Sequence, residues 1–298
     1  MNLLFTGASG FLGRNIKPLL KETYFVKTIG LTTSDDFQIN IAKEIPSLNM
    51  KFDVILHAAG KAHVVPKNKN EEQAFYDVNY QGTVNLCMAL ENFGIPKAFI
   101  FISTVAVYGC DFGQKITEEH ALDGTTPYAK SKIMAEQYLM KWCSKHNVLL
   151  SIIRPSLIAG PNPPGNLGAM IAGIKSGKYL SISGGKARKS VLMVQDIAHL
   201  VPLLVNKGGI YNVCDDSQPT FRELESIICR DLGKRLPLSI PYSVAKLLAL
   251  LGDSLGNKAP IDSLRLSKIT ESLTFSNEKI KKELGWKPLN VLESFTIK

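Results

Sequence analysis

Cysteine is scarce in this chain. The five present, Cys87, Cys110, Cys143, Cys214 and Cys229, are odd in number and nowhere spaced as Cys-x-x-Cys. Neither a disulfide framework nor a zinc site is indicated, no other metal site is expected, and the thiols fit a reducing compartment. Long apolar runs are missing as well. A membrane-spanning helix needs about 18–20 apolar residues, and the best candidate, Val244–Leu251, is broken by Lys246. The N-terminus, MNLLFTG, has no basic leader region and no small-residue cleavage site, so it reads as a buried first strand. These absences point to a cytoplasmic protein with no membrane span.

Acidic residues are also in deficit. Lys and Arg number 35 against 26 Asp and Glu, a formal charge of +9. Such a charge attracts anions, whether nucleic acid, an anionic membrane or a nucleotide. The cations are spread along the chain, however. The densest cluster, Lys186-Ala187-Arg188-Lys189, is short and has no aromatic residues between its charges. Nucleic-acid binding therefore rests on charge alone and is not expected; most of these charges read as a solvated surface. With 45% hydrophobic and 20% charged residues the composition is globular, and 298 residues suffice for one full domain and a smaller second.

What is present is an alternation. Strand-like runs at Leu3–Phe5, Phe25–Leu31, Phe37–Ile41, Val54–Ala58, Ala98–Ser103 and Val148–Ile153 are separated by helical patterns at Phe11–Lys21, Glu71–Phe93 and Tyr128–His146. Strands alternating with helices predict an α/β fold, a Rossmann-type doubly wound parallel sheet covered on both faces. After Arg154-Pro155 the pattern becomes irregular, beginning with the rigid loop Gly160-Pro161-Asn162-Pro163-Pro164-Gly165. A smaller, mixed C-terminal lobe is expected. The division places residues 1–160 and about 189–213 in the dinucleotide-binding domain, and about 161–188 and 214–298 in the substrate lobe.

Between the first strand and first helix stands Thr6-Gly7-Ala8-Ser9-Gly10-Phe11-Leu12-Gly13. One glycine serves the tight turn, one the close approach of a pyrophosphate, and one the packing of helix on sheet. The helix N-terminus adds free N–H groups and a partial positive charge. A glycine triplet alone is weak; inside the first strand–turn–helix of an α/β chain it indicates dinucleotide binding. The second strand ends in Leu31-Thr32-Thr33, without the acid that would hold a ribose 2′-hydroxyl or an arginine for a 2′-phosphate. Asp35 and Asp36 lie further along the loop, and NAD and NADP both stay open.

Tyr128 and Lys132 are four residues apart and share one helix face. A phenol with a pKa near 10 is a poor base at neutral pH. A neighbouring ammonium, with an oxidised nicotinamide, is expected to lower that value and let the phenol exchange a proton with a substrate hydroxyl. The spacing is common by chance, and Tyr242 and Lys246 repeat it in the C-terminal lobe. Position separates the two pairs. Tyr128 follows the strand ending near Ser103, at the sheet edge where parallel sheets place ligands. His63, Cys110 and Trp286 read as bystander, inert thiol and packing residue.

Taken together, the glycine loop, His57-Ala58-Ala59-Gly60, Val78-Asn79-Tyr80-Gln81-Gly82-Thr83, Ser103-Thr104-Val105-Ala106-Val107-Tyr108-Gly109, Tyr128/Lys132, Arg154-Pro155-Ser156, Val194-Gln195-Asp196 and Leu284-Gly285-Trp286-Lys287-Pro288 resemble the extended short-chain dehydrogenase/reductase family. The type is the NAD-dependent epimerases, reductases and dehydratases of nucleotide sugars, and the likeness spans nearly the whole chain. It implies cofactor contacts from Gly7, Gly10, Phe11, Leu12, Gly13, Asn40, Ile41, Ala58, Ala59, Gly60, Asn79, Tyr128, Lys132, Pro155 and Ser156. It implies Thr104 as the hydroxyl beside the reacting oxygen, with Tyr128 and Lys132 as catalytic partners. For the substrate, a UDP-sugar by the same resemblance, it implies Thr104, Tyr128, Asn166, Arg188 and Lys189, the last standing where many members carry a phosphate-binding arginine. A homodimer is left open.

Dehydratases of this type resemble a Thr-Asp-Glu pattern where this chain has Thr104-Val105-Ala106, so elimination chemistry is not expected. Two readings stay open. The HAAGKAHV and PGN segments, with Lys-Ser-Val-Leu-Met-Val, look most like the subgroup reducing UDP-4-keto-6-deoxy-N-acetylhexosamines for surface polysaccharides. Reduction is the leading expectation; 4-epimerisation of UDP-glucose or UDP-N-acetylglucosamine with retained NAD is the alternative. A non-catalytic dinucleotide sensor would lack the Thr104, Tyr128 and Lys132 set.

Overall fold

The computed structural model of the protein describes residues 1–255 and 261–297. From the N-terminus, β1 (Asn2–Thr6) runs into α1 (Phe11–Lys21), followed by β2 (Phe25–Gly30), β3 (Phe37–Gln38) and β4 (Val54–His57). Helices α2 (Lys69–Tyr76) and α3 (Gly82–Phe93) lead to β5 (Ala98–Ile102), and β6 (Gly113–Ile116) and α4 (Pro127–His146) to β7 (Leu149–Pro155). Next come β8 (Leu157–Ala159), α5 (Gly165–Lys175), β9 (Ser181–Ile182), β10 (Val191–Met193), α6 (Val194–Leu204) and β11 (Gly209–Val213). The chain continues through α7 (Phe221–Leu232), β12 (Ser239–Ile240), α8 (Tyr242–Leu255), α9 (Ser263–Thr270), β13 (Leu273–Phe275), α10 (Glu278–Leu284) and α11 (Val291–Ser294).

Seven parallel strands form the central sheet in the order β11-β7-β5-β4-β1-β2-β3. Strand order reverses between β1 and β4, the crevice where open α/β sheets bind ligands. Alternate residues feed the two faces. Leu3, Phe5, Leu56 and Ile100 join Ile16 of α1 and Leu200 of α6 on one side. Leu4, Ile55, Phe99 and Phe101 join Leu86 of α3 and Leu139 of α4 on the other. β4 and β5 are buried on both faces, which is why they read as unbroken apolar runs.

Two expectations are amended. β3 stops at Gln38, so Asn40 and Ile41 lie in the turn beyond it. The Asn40 side chain accepts the Ala42 N–H at 3.1 Å, a local bond that competes with the ladder. The expected helix 71–93 is interrupted by a π-helical turn over Asp77–Gln81. β10 pairs with β8 outside the central sheet, while α6 packs on α1 and β11 joins that sheet. We propose the two-part organisation expected above, with a third apolar cluster around Leu167, Leu224, Ile228 and Phe295 as the core of the lobe. Residues 256–260 and 298 of that lobe lie outside the described residues. Two motifs meet between the parts: Asp196 accepts the Leu289 N–H at 3.2 Å.

One chain of hydrogen bonds ties the sheet edge to the π turn. The Thr6 hydroxyl accepts the Ala59 N–H at 3.1 Å and lies 2.6 Å from His57 Nδ1. His57 Nε2 is 2.9 Å from the Thr83 hydroxyl, which donates to the Asn79 carbonyl at 2.7 Å. With Thr83's proton committed, the network assigns the hydrogen to Nε2 and makes Nδ1 the acceptor of Thr6. Burial, and secondarily the charge of Lys132, push His57 from 6.5 down to about 3. The folded state keeps this imidazole neutral while the unfolded chain protonates it, so its contribution to stability is lost as pH falls from 6.5 toward 3. His57→Gln removes that component. The melting-temperature gap between parent and variant, largest near neutral pH, should narrow on acidification through this window; a gap unchanged by pH would contradict the neutral-imidazole account.

Candidate active site

The glycine loop is built as the spacing implies. Gly7 has φ +80°, and a Cβ there would lie 2.6 Å from the Ala59 nitrogen. A side chain at Gly13 would run into Ala8 Cα at 2.3 Å. Gly10 closes the turn by donating to the Gly7 carbonyl at 3.1 Å. It also begins α1, which has no side-chain cap and no acid in its first turn, leaving its N–H groups for an anion. Phe11 and Leu12 pack on the first core, and Ala58 and Ala59 back the loop.

Around Lys132 the sequence-predicted residues converge. Asn79, fully buried in the π turn, accepts from Lys61 N–H at 2.7 Å and donates to the Ser131 hydroxyl at 2.9 Å. A Cβ on Gly60 would meet Asn79 Oδ1 at 3.1 Å and Lys132 Nζ at 3.2 Å. Lys132 donates to the Ile102 carbonyl at 2.8 Å, and its ammonium sits 4.5 Å from the Phe101 ring centre. Burial pulls this lysine down to about 8, opposed by Glu136.

Tyr128 occupies the first turn of α4, where Thr126 caps the helix by accepting the Ala129 N–H and Pro127 fixes the entry. Its hydroxyl lies beside Thr104, whose side chain accepts the Ala106 N–H at 3.1 Å. Burial raises the phenol's pKa and Thr104 opposes the rise, while the Lys132 ammonium is directed at the Ile102 carbonyl. Pro155 ends β7 and Ser156 follows, its buried hydroxyl without a partner in the protein. An unsatisfied buried hydroxyl in this crevice fits a bound cofactor.

The substrate-side residues are less united. Asn166 is exposed at the start of α5. Its neighbour Gly165 packs against His63, a Cβ there lying 2.8 Å from His63 Nδ1. Arg188 and Lys189 diverge, as consecutive residues of an extended chain do. Arg188 donates to the Gln218 carbonyl and faces Glu223 at 3.9 Å. Lys189 donates to the Glu271 carbonyl, with burial holding it near 8. Tyr242 and Lys246 lie exposed on α8.

The sequence reading missed a buried network. Glu136, one turn beyond Lys132, accepts from the Ser103 hydroxyl and pairs with Arg154 at 2.6 Å and 3.1 Å. Arg154 continues to the Tyr108 hydroxyl at 3.0 Å, and Tyr108 to Asn212 at 2.6 Å. The i, i+4, i+8 series Tyr128, Lys132, Glu136 was the available signal. Cys110, 3.2 Å from His120, has its thiol pushed up by burial.

Against this geometry, the profile of the NAD dependent epimerase/dehydratase family matches residues 3–214. The chain belongs to that family. It is 29% identical to the N-acetyl-alpha-D-glucosaminyl-diphospho-ditrans,octacis-undecaprenol 4-epimerase of Escherichia coli O157:H7, over 94% of this chain and 88% of that protein. It is 26% identical to the GDP-6-deoxy-D-mannose reductase of Pseudomonas aeruginosa, over 76% of this chain and 78% of that one. The crystal structure of a UDP-glucose 4-epimerase from Thermotoga maritima with UDP-glucose superposes with a TM-score of 0.76 at 20% identity, covering 98% and 96% of the two chains. A nicotinamide cofactor, NAD or NADP, and epimerase- or reductase-type chemistry on nucleotide sugars follow.

Within this epimerase/dehydratase member, a cavity of about 480 Å³ opens beside the glycine loop, lined by Ala8, Ser9, Arg14, Lys17, Thr32 and Asp35 among others. Asp35 folds back along its loop, accepting the Thr32 N–H at 3.1 Å and hydroxyl at 2.6 Å. Its carboxylate fills the space of a side chain at Gly30, whose Cβ would lie 2.3 Å from Asp35 Oδ2. Asp35 thus stands beside the end of β2, which carries no acid of its own. Arg14 brings the opposite charge from α1. Asp35→Asn should weaken NAD binding several-fold while leaving NADP binding unchanged or tighter, measured by calorimetric titration. Equal loss for both cofactors would remove Asp35 from the ribose site.

Proposed function

We propose that the protein catalyses hydride transfer at C4 of a nucleotide-diphosphate sugar, as a reductase of a UDP-4-keto-6-deoxy-N-acetylhexosamine. The observation that carries the chemistry is the placement of the Tyr128 phenol beside Thr104, one helical turn from Lys132, with the uncharged Val105 and Ala106 next to Thr104. When bound, the nicotinamide supplies or accepts the hydride. Tyr128 donates its phenolic proton to the C4 oxygen, and Thr104 donates a hydrogen bond to the same atom. Lys132 carries the positive charge that stabilises the resulting phenolate, and its bond to Ile102 fixes where that charge stands. No carboxylate at 105 or 106 is present to remove a proton for dehydration.

The reductase reading is supported by the contact between His63 and Gly165, which joins the two segments carrying the subgroup likeness, HAAGKAHV and PGN. The 4-epimerase reading is favoured by a different observation: a relative matched over nearly the whole chain is a 4-epimerase acting on a diphosphate-linked N-acetylglucosaminyl group. A spectrophotometric assay separates them. A reductase consumes NAD(P)H stoichiometrically with a 4-keto-6-deoxy sugar; an epimerase interconverts hydroxylated sugars with no net consumption. In either assay Tyr128→Phe should cut kcat by about a hundredfold or more and leave cofactor affinity within about twofold. Full activity in that variant, or loss on Tyr242→Phe, would overturn the assignment.

A further inference from the structure

Helix α8 is built inside out. Ala245 and Ala249 are fully buried and Gly252 lies on the same face, an i, i+4, i+7 stripe of small residues seated over Ile182 and Leu266. The large side chains point the other way. Tyr242, Val244, Leu247, Leu248, Leu250 and Leu251 are each 44–61% exposed. A helix held by its tertiary contacts normally turns its leucines inward, because burying their apolar surface stabilises the fold. Here that apolar surface is left outside.

The patch extends past the helix. β12 pairs with β9 just ahead of α8, bringing Leu238 (79% exposed) beside Leu180 (48% exposed). Arg235 and Leu236 line a shallow cavity with Ile174 and Leu180. Exposed apolar side chains gathered on consecutive elements in this way mark an interaction surface. Its charge is mainly positive. From Lys234 to Gly252 the chain carries Lys234, Arg235 and Lys246 and no acidic residue, and Lys175 and Lys178 flank the same edge; the one acid of α8, Asp253, accepts hydrogen bonds from Ser263. Among the described residues none of these five cations is ion-paired.

We propose that this face docks on an anionic lipid bilayer, with α8 lying in the plane of the interface. Leucines enter the acyl boundary while the lysines and arginine meet lipid phosphates, the arrangement of interfacial amphipathic helices. A second copy of the chain is the poorer occupant, since face-to-face docking brings the same unpaired cations together. Nothing in this attachment requires a span, and none of the helices in the described residues is long and apolar enough to make one. The inference goes beyond the C4 chemistry and does not depend on it.

The test is flotation of the full chain with vesicles of phosphatidylcholine alone or with about 30% phosphatidylglycerol. The parent should float with anionic vesicles, about tenfold less with neutral ones, and lose binding at high salt. Leu247→Glu/Leu251→Glu, on exposed positions, should abolish flotation while NADH affinity and melting temperature are kept. Leu251→Trp supplies an independent readout, its emission shifting to the blue on anionic vesicles. Failure of the parent to float, flotation unchanged by the glutamates, or no shift in the tryptophan variant would overturn the proposal. So would a parent dimer that the glutamates turn into monomer without any vesicle binding.

Discussion

The structure depends most on one neutral histidine. His57 ends β4 at the point where strand order reverses, and its two ring nitrogens hold threonines from β1 and α3. Through Thr6 it fixes the Ala59 N–H, and so the backbone against which Gly7 closes the phosphate loop. Through Thr83 it reaches the carbonyl of Asn79, and so the π turn that presents Asn79 to Lys61 and Ser131. A charged imidazole would need to donate from both nitrogens, and Thr6 could no longer donate to Nδ1. The glycine loop and α4 are therefore held in register by a group whose neutrality the fold enforces.

A second buried element works beside it at greater electrostatic cost. Glu136 and Arg154 are almost completely buried, and such a pair costs several kcal/mol of desolvation that its own attraction only partly offsets. What the pair does is positional. It grips Ser103, the residue before Thr104, and Tyr108, the last residue of the short 3₁₀ helix Val105–Tyr108 that Thr104 caps. Both ends of the segment carrying the substrate-side hydroxyl are thereby fixed from α4 and β7. Glu136 also tempers the loss of charge that burial imposes on Lys132.

Much of this was legible in the residues. The α/β alternation is written in the periodicity of Leu3–Phe5, Val54–His57 and Ala98–Ile102, because strands buried on both faces leave no polar alternation. The glycine loop and Tyr128/Lys132 could be placed because local spacing determines local geometry. What escaped is set by tertiary contacts. The π turn at Asp77–Gln81 has no periodic signature. The return of Asp35 to the end of β2 could not be read from spacing, since its position depends on the room left by Gly30. Arg188 and Lys189 read as one cluster, yet an extended backbone turns them to different neighbours. The run Val244–Leu251, broken by Lys246 and too short to span a membrane, shows its outward-facing leucines only in the fold.

The central claim is that this crevice transfers hydride at the sugar C4. Single turnover with NADH carrying deuterium at the transferring position tests it most directly. Incubated with a UDP-4-keto-6-deoxy-N-acetylhexosamine, the protein should deliver one deuterium to C4 of the product, read by mass spectrometry and proton NMR. Product lacking deuterium, or deuterium at another carbon, would contradict the account.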